Sequence, residues 1–285
     1  MECGVSTGER VEADPLIVSA GLSHRAMTMS ILELADAAGY RAALIDATDA
    51  TVTGWPRFAR IIRAAAHGLG RRGLAEGDTA GVFVPDAASA AIAVNAIRAA
   101  GATACLIRPD ASPADIADRL NACGARLLIT SAPLAELAAE GADRSRVRQV
   151  IAFGDAAATT PFSSLLESGR PDLADEHEQR EHGLADEPGL TPATNPGHGL
   201  THRDVVVAAP PCGDGSAYTS LLDLILLTGA TLVAAPLPLV TAAMRVYKGT
   251  AAIVPRGTHV PGVAPGRVFS VALSPAAVLG GGLLR

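Results

Sequence analysis

Lysine is almost missing from this chain: Lys248 stands alone, although Lys and Arg together number 23. Positive charge therefore resides in arginine, and any step that needs a mobile ammonium must use Lys248 or do without one. Aromatic residues make up 3% of a chain that is 49% hydrophobic, so Ala, Val, Leu and Ile must fill its interior. Charged residues, at 18%, fall below the usual share of about 25%. With a net charge of −6, no basic run and no aromatic–basic interleaving, nothing points to nucleic acid as a partner. The four cysteines, Cys3, Cys105, Cys123 and Cys212, form no C-x-x-C pair, so neither a metal site nor a disulfide is expected. Cys105 sits in an apolar run and is expected to pack as a small hydrophobe. No apolar run approaches the roughly 18 residues of a membrane span. The longest, residues 221–233, is broken by Asp223, Thr228 and Gly229. The start carries Glu2, Glu9, Arg10, Glu12 and Asp14 instead of a basic start and an apolar core, so no signal peptide is expected and a cytoplasmic protein is.

What is present is ample length and a regular alternation. The 285 residues suit one large domain or two small ones with a substantial core. Residues 1–27 show no period and read as a flexible tail. Ser30 followed by Glu33 has the capping-box pattern of a helix start, and Gly39 ends that helix. A strand over 42–45 precedes a helix carrying Phe58, Ile61, Ile62, Ala65 and Leu69. Strands then read over 79–84, 103–107, 126–130 and 149–153. Between them lie helices over 88–100, after Ser112-Pro113, and through Leu134 and Leu137. Strands alternating with helices predict a largely parallel sheet covered on both faces.

Residues 170–199 interrupt the pattern. Seven acids from Asp172 to Glu187 are followed by Pro188, Pro192, Pro196, Gly189, Gly197 and Gly199, the composition of an exposed loop. His177 and His182 within it read as solvated side chains, not metal ligands. Helices over 216–228 and 239–247 and strands over 231–235, 251–254 and 268–273 then make a second alternating unit. The expected organisation is a tail (1–27), a first α/β lobe (28–170), a linker (171–200) and an incomplete second α/β lobe (201–285).

Several short motifs occur in a consistent order. Gly73-Leu74 with Gly77-Asp78, Ala99-Ala100-Gly101-Ala102-Thr103, Ile107-Arg108-Pro109, Ser112-Pro113-Ala114-Asp115-Ile116 and Cys123-Gly124-Ala125-Arg126-Leu127-Leu128-Ile129-Thr130 span roughly residues 30–170. Leu200-Thr201-His202-Arg203-Asp204, residues 227–233 and residues 273–279 extend the series more thinly. Together they resemble the adenylate-forming (AMP-binding) acyl-CoA synthetases of the 4-coumarate–CoA ligase type. The resemblance implies the layered α/β N-terminal domain of those enzymes, in a truncated and degenerate form. In that degenerate form no cofactor is expected; only if activity is retained does the resemblance imply ATP with Mg and CoA as cofactors, and a carboxylate as substrate.

In that family a Ser/Thr/Gly-rich loop ending in Pro-Lys-Gly cradles the ATP phosphates. Glycine lets backbone N–H groups close around the oxygens, and lysine supplies a point charge. Here the corresponding residues are 190–199, where Thr191 and Thr194 offer hydroxyls but Pro192 and Pro196 remove amide donors. The lysine position falls on Gly197 or His198, and histidine is mostly neutral at pH 7. Losing one preorganised donor typically costs about 2.7–4 kcal/mol. The resemblance leaves as a nucleotide-binding remnant Thr191, Thr194, Gly197, His198 and His202, with Ser274, Ala276 and Ala277 in the adenine-contacting segment. No catalytic residue and no metal ligand is expected. The family's later elements, including its C-terminal lysine, find no counterpart before Arg285.

Other residues invite a reading. Gly280-Gly281-Gly282 reads as a terminal tail. Gly213-Asp214-Gly215-Ser216 reads as a helix N-cap on Asp214 or Ser216 rather than an anion site. Ser216, His202 and Asp204 lack the G-x-S-x-G elbow of a hydrolytic triad. Trp55 is expected in the core or at a helix start. Three functions are weighed: a non-catalytic pseudoenzyme or partner-dependent subunit, an acyl-CoA ligase completed by a second chain, and a non-catalytic nucleotide or CoA binder. Exposed apolar surface on the second lobe is expected to be covered by a partner protein or by self-association.

Overall fold

Successive residues of the central strands face opposite sides and are buried on both. Val206 and Ala208 join one hydrophobic cluster and Val207 joins another; Leu232 and Ala234 are divided in the same way from Val233. A strand covered on both faces must be apolar without alternation, which is why these segments read as continuous Val/Ala/Leu runs. The structure, a computed structural model, describes residues 23–167, 199–212 and 215–271.

The helices are α1 (His24–Ala37), α2 (Trp55–Arg71), α3 (Ala87–Ala99), α4 (Pro113–Cys123), α5 (Ala135–Asp143), α6 (Ser163–Glu167), α7 (Gly215–Leu227) and α8 (Val240–Val246). The strands are β1 (Ala42–Asp46), β2 (Val52–Gly54), β3 (Thr79–Phe83), β4 (Thr103–Leu106), β5 (Leu127–Ser131), β6 (Gln149–Phe153), β7 (Thr160–Pro161), β8 (Val205–Ala208), β9 (Thr231–Ala234), β10 (Ala251–Pro255) and β11 (Val268–Val271). They form a six-stranded sheet in the order β11-β10-β8-β9-β1-β2 and a five-stranded sheet in the order β4-β3-β5-β6-β7. All pairings are parallel except β1 with β2. The α/β class with largely parallel sheets is thus the one expected.

The layers follow from the clusters. α1, α2, α3 and α7 share a core with the facing sides of both sheets. α8 covers the far side of the six-stranded sheet, and α4 and α5 that of the five-stranded one. α3 runs through the middle and is buried almost all round, which its alanines permit. Its two large polar residues are both matched: Asn95 accepts from the Thr28 hydroxyl at 2.9 Å, and Arg98 pairs with Asp223 of α7. The sparse aromatics sit where volume is needed, as with Trp55 and Phe58, edge to face at 5.8 Å and fully buried. Trp55 is both a core residue and the first residue of α2, as expected.

Several expectations need correction. α1 begins at His24, capped by Ser23, so Ser30 lies inside the helix and residues 24–27 are its first turn. The buried stripe starts at Thr28, a polar residue that hydrophobic periodicity does not register. Ser216 is likewise inside α7, which begins at Gly215; Asp214 lies outside the described residues. β8 was not foreseen, yet it sits between β10 and β9 in the sheet. It has four residues and runs into Pro210-Pro211, so it resembles a loop when read alone. The sheets also divide differently from chain order, because β1 and β2 complete the sheet built otherwise from residues 205–271.

Candidate functional site

In the five-stranded sheet β3 is flanked by β4 on one side and β5 on the other. α3, which leaves β3, packs on the inner face, while α4, which leaves β4, packs on the outer face. Connections that depart to opposite faces open a crevice at the carboxyl ends of the strands, where open α/β sheets place their ligands. Asp86 follows β3, Arg108 and Asp110 follow β4, and Ser131 ends β5. Asp46, at the end of β1, is close enough for its charge to act on Asp86. Cys212, after β8, and Tyr218, on α7, belong to the same neighbourhood, since Asp110 acts on Cys212 and both Cys212 and Asp86 act on Tyr218. Gly215, which opens α7 beyond β8, packs on Leu106 at the end of β4, so the carboxyl ends of both sheets meet here.

The Asp86 side chain accepts from the Ser89 amide at 2.7 Å and caps α3. Burial pushes its carboxyl above the ordinary value despite the hydrogen bonds from Ser89, and Asp46 adds to the rise. Burial, helped by Asp110, lifts the Cys212 thiol to about 11, so it is a protonated thiol at neutral pH and no nucleophile. Tyr218 is fully buried and donates to the Ala209 carbonyl at 2.5 Å, which makes it a brace between α7 and the exit of β8. Gly215 sits so close to β4 that a Cβ there would meet the Leu106 carbonyl oxygen at 2.8 Å.

Two polar atoms in the crevice lack partners. Arg108 pairs through Nε with Asp110 at 3.1 Å, but its Nη1 is buried without an acceptor. Ser131 Oγ, on the other side of β3, is buried without a partner too. An orphaned buried donor is costly, and such atoms are accounted for when a ligand supplies the acceptor. The arrangement offers a guanidinium donor and a hydroxyl beside a carboxyl with a raised pKa, a set suited to holding an anionic head group. Among the described residues no three His, Cys, Asp or Glu come together to hold a metal ion.

Of the residues singled out from the sequence, Thr191, Thr194, Gly197, His198, Ser274, Ala276 and Ala277 lie outside the described residues. His202 is described, and it stands at the entry of β8, opposite the crevice end. Its carbonyl accepts from Arg41 Nη1 at 2.8 Å, and its Nδ1 is buried without a partner. Burial, together with Arg41 and Arg203, lowers its pKa, so the ring is neutral at pH 7 and cannot serve as a fixed cation. Asp204, beside it, gathers four hydrogen bonds: Thr201 N at 2.6 Å, Thr201 Oγ1 at 2.9 Å, Thr250 Oγ1 at 2.7 Å and Arg267 Nη1 at 2.9 Å. These tie the entries of β8, β10 and β11 together and leave neither His202 nor Asp204 arranged with Ser216 as a triad. The crevice residues were not marked by the sequence analysis. The one signal for Asp46, Asp86, Arg108, Asp110 and Ser131 was position, since each follows a predicted strand; Cys212 follows the unforeseen β8 and Tyr218 lies within α7.

The sequence profile described as "AMP-binding enzyme" matches residues 33–196, more than half of the chain. No curated protein sequence matches it. Among solved structures, a long-chain-fatty-acid–CoA ligase from Archaeoglobus fulgidus is similar with a TM-score of 0.62 at 19% identity, over 79% of this chain and 51% of that one. A benzoate CoA ligase from Burkholderia xenovorans gives 0.63 at 18%, over 80% and 49%. MbtA from Mycobacterium smegmatis gives 0.62 at 23%, over 85% and 50%. At these identities the likeness shows the fold. The chain spans about half the length of these structures.

Proposed function

We propose, on the premise that the chain belongs to the AMP-binding enzyme family, that it does not by itself activate a carboxylate with ATP. The observation that carries this is the lack of any Lys or Arg in residues 190–199, where the family's phosphate loop falls and where Pro192 and Pro196 withdraw amide donors. The chain's one lysine offers no replacement. Lys248 is exposed just past the end of α8, on the outer layer of the six-stranded sheet. The protein then acts as a non-catalytic or partner-dependent member of its family. The test is carboxylate-dependent exchange of pyrophosphate into ATP, with aromatic and fatty carboxylates. No exchange above a protein-free control is expected, and exchange that requires the carboxylate overturns the proposal.

A second reading has its own support. Arg108 Nη1 and Ser131 Oγ wait unpartnered at the crevice, and Leu237 and Leu239, just past the carboxyl end of β9, present apolar surface on the second lobe. In this reading the crevice belongs to an acyl-CoA ligase whose ATP- and CoA-handling groups come from further polypeptide packed on that surface. The crevice residues then hold the substrate carboxylate, and the added part supplies the cationic phosphate contacts. Affinity capture followed by exchange assays on the recovered complex tests it. Exchange that appears only in the complex, and falls in Arg108→Gln, supports it; a complex that stays silent removes it.

A further inference from the structure

At the amino ends of the five-stranded sheet's strands, opposite the crevice, three arginines converge. Arg126 immediately precedes β5 and Arg148 immediately precedes β6, and these two strands are parallel neighbours. The Arg148 amide donates to the Arg126 carbonyl at 2.9 Å, which holds the two residues side by side. Arg146 lies two residues before Arg148. Val147 between them packs on the outer cluster, so the alternation of an extended segment sends both arginines outward. The loop is held in place by Ser145, whose hydroxyl donates to Ala142 at 2.8 Å and accepts from Val147 N at 3.2 Å.

Together with Gly124 these arginines line a cleft of about 270 Å³. Gly124 ends α4 at φ +65°, and nothing lies within 4 Å of where a Cβ would stand, so the cleft floor is open. Among the described residues, little neutralises the cleft. Arg126 has a long contact with Asp78, 3.5 Å from Nε to Oδ1. Arg146 and Arg148 make no ion pair among the described residues, whereas Arg25, Arg63, Arg144 and Arg267 each do. In a chain with a net charge of −6, three like charges facing one cavity are an exception that a bound anion accounts for.

We propose that this cleft binds a compact, multiply charged phosphate anion of the size of pyrophosphate. Guanidinium forks match phosphate oxygens geometrically and keep their charge at any working pH. Three of them exceed what a single carboxylate neutralises. The volume lies just under the roughly 300–1,000 Å³ of pockets that enclose drug-sized ligands, so a phosphate group fits and an entire coenzyme does not. A nucleic-acid strand is disfavoured by the overall negative charge and by the lack of an aromatic residue in the lining on which a base could stack. The cleft is separate from the crevice: β5 alone, at about 3.3 Å per residue, puts roughly 17 Å between Arg126 and the far end of the strand.

Calorimetry with sodium pyrophosphate at constant ionic strength tests this on the full chain. Saturable binding at one site is expected, weakened at least tenfold in Arg146→Gln/Arg148→Gln and unchanged in Arg57→Gln, a control at another exposed arginine. Arg146 and Arg148 are both exposed, so the double variant should unfold at the same temperature as the parent. Titration with ATP and with tripolyphosphate separates nucleotide-borne from free phosphate: equal affinities mean that only the phosphates are read. Absence of saturable heat in the parent protein overturns the proposal, as does unchanged affinity in the double variant. Loss of pyrophosphate binding in Arg108→Gln alone overturns it as well, by assigning the anion to the crevice. So does an oligonucleotide that binds through Arg146 and Arg148 where pyrophosphate does not.

Discussion

Arg98 of α3 donates through a single nitrogen, Nη1, to both carboxylate oxygens of Asp223 on α7, at 2.7 and 2.8 Å, with each side chain 5% exposed. The pair joins the middle helix of the first lobe to the second lobe, across the shared core. Burial raises the Asp223 pKa, and the neighbouring Arg98 only partly reverses the rise. The pair is therefore a fixed joint whose desolvation is incompletely offset.

Breaking one side of this joint should be severe. Asp223→Ala or Arg98→Ala leaves a lone buried charge and is expected to destabilise by about 3–5 kcal/mol, whereas Arg98→Met with Asp223→Leu should be near neutral or stabilising. Urea unfolding of the two single variants and the double variant measures this. A small effect of both single variants would falsify the assignment. Because the folded carboxyl titrates above its unfolded value, its linkage contribution is full below the ordinary carboxyl range and is lost as pH rises through the elevated value.

Asp204 should show the reverse pH dependence. Burial raises its pKa, but hydrogen bonds from Thr250 and Thr201 and the charge of Arg267 outweigh that and leave it below the usual value. A lowered carboxyl pKa contributes stability above the unfolded value and loses it as pH falls through the folded one. Acid unfolding of the parent protein should begin accordingly, and Asp204→Asn should lower neutral-pH stability by about 1.5–3 kcal/mol while flattening the acid limb. A parallel shift of the whole profile would count against the assignment.

Gly68 marks a close approach. A Cβ on it would lie 2.5 Å from the Leu165 carbonyl oxygen, where α2 meets α6. Gly68→Ala should destabilise by about 1–3 kcal/mol through overpacking, despite alanine's better helix propensity. Gly70→Ala, two residues on and with nothing within 4 Å, should be neutral or mildly stabilising by thermal unfolding.

Cys105 is buried, as expected of a small hydrophobe in an apolar run. The neighbouring Cys123 lowers its pKa, with burial opposing the shift and Arg119 assisting it. Cys123, whose Sγ donates to the Leu120 carbonyl, is raised in turn by Cys105 and by burial. The ultraviolet absorbance of thiolate should show its first step below the ordinary thiol value of about 8.5 in the parent protein. Cys123→Ser should move that step up toward the ordinary value. A Cys123→Ser profile identical to the parent's would rule out the coupling.

The fold was legible wherever local chemistry is strong. Ser112, Pro113 and Asp115 announce α4, and the structure has the full capping box there. β6 runs over the expected residues 149–153. Short elements escaped because periodicity needs length: β2, β7 and α6 have three, two and five residues. The candidate site was less legible still. Asp86 and Arg108 look like ordinary turn residues until the parallel pairing of β3 with β4 places both at one end of the five-stranded sheet, with Ser131 and Arg108 left holding unpartnered polar atoms.

The sequence alone determined the α/β class and the family resemblance, because both depend on residue types at short spacing. Only the tertiary structure decided that residues 42–54 complete a sheet built from 205–271, and that the carboxyl ends of both sheets share one crevice. It also decided that Arg126, Arg146 and Arg148 face one cleft. These are relations between segments far apart in the chain. They arise when buried apolar faces force layers together, and the nearest-neighbour pattern of a sequence carries no record of which faces will meet.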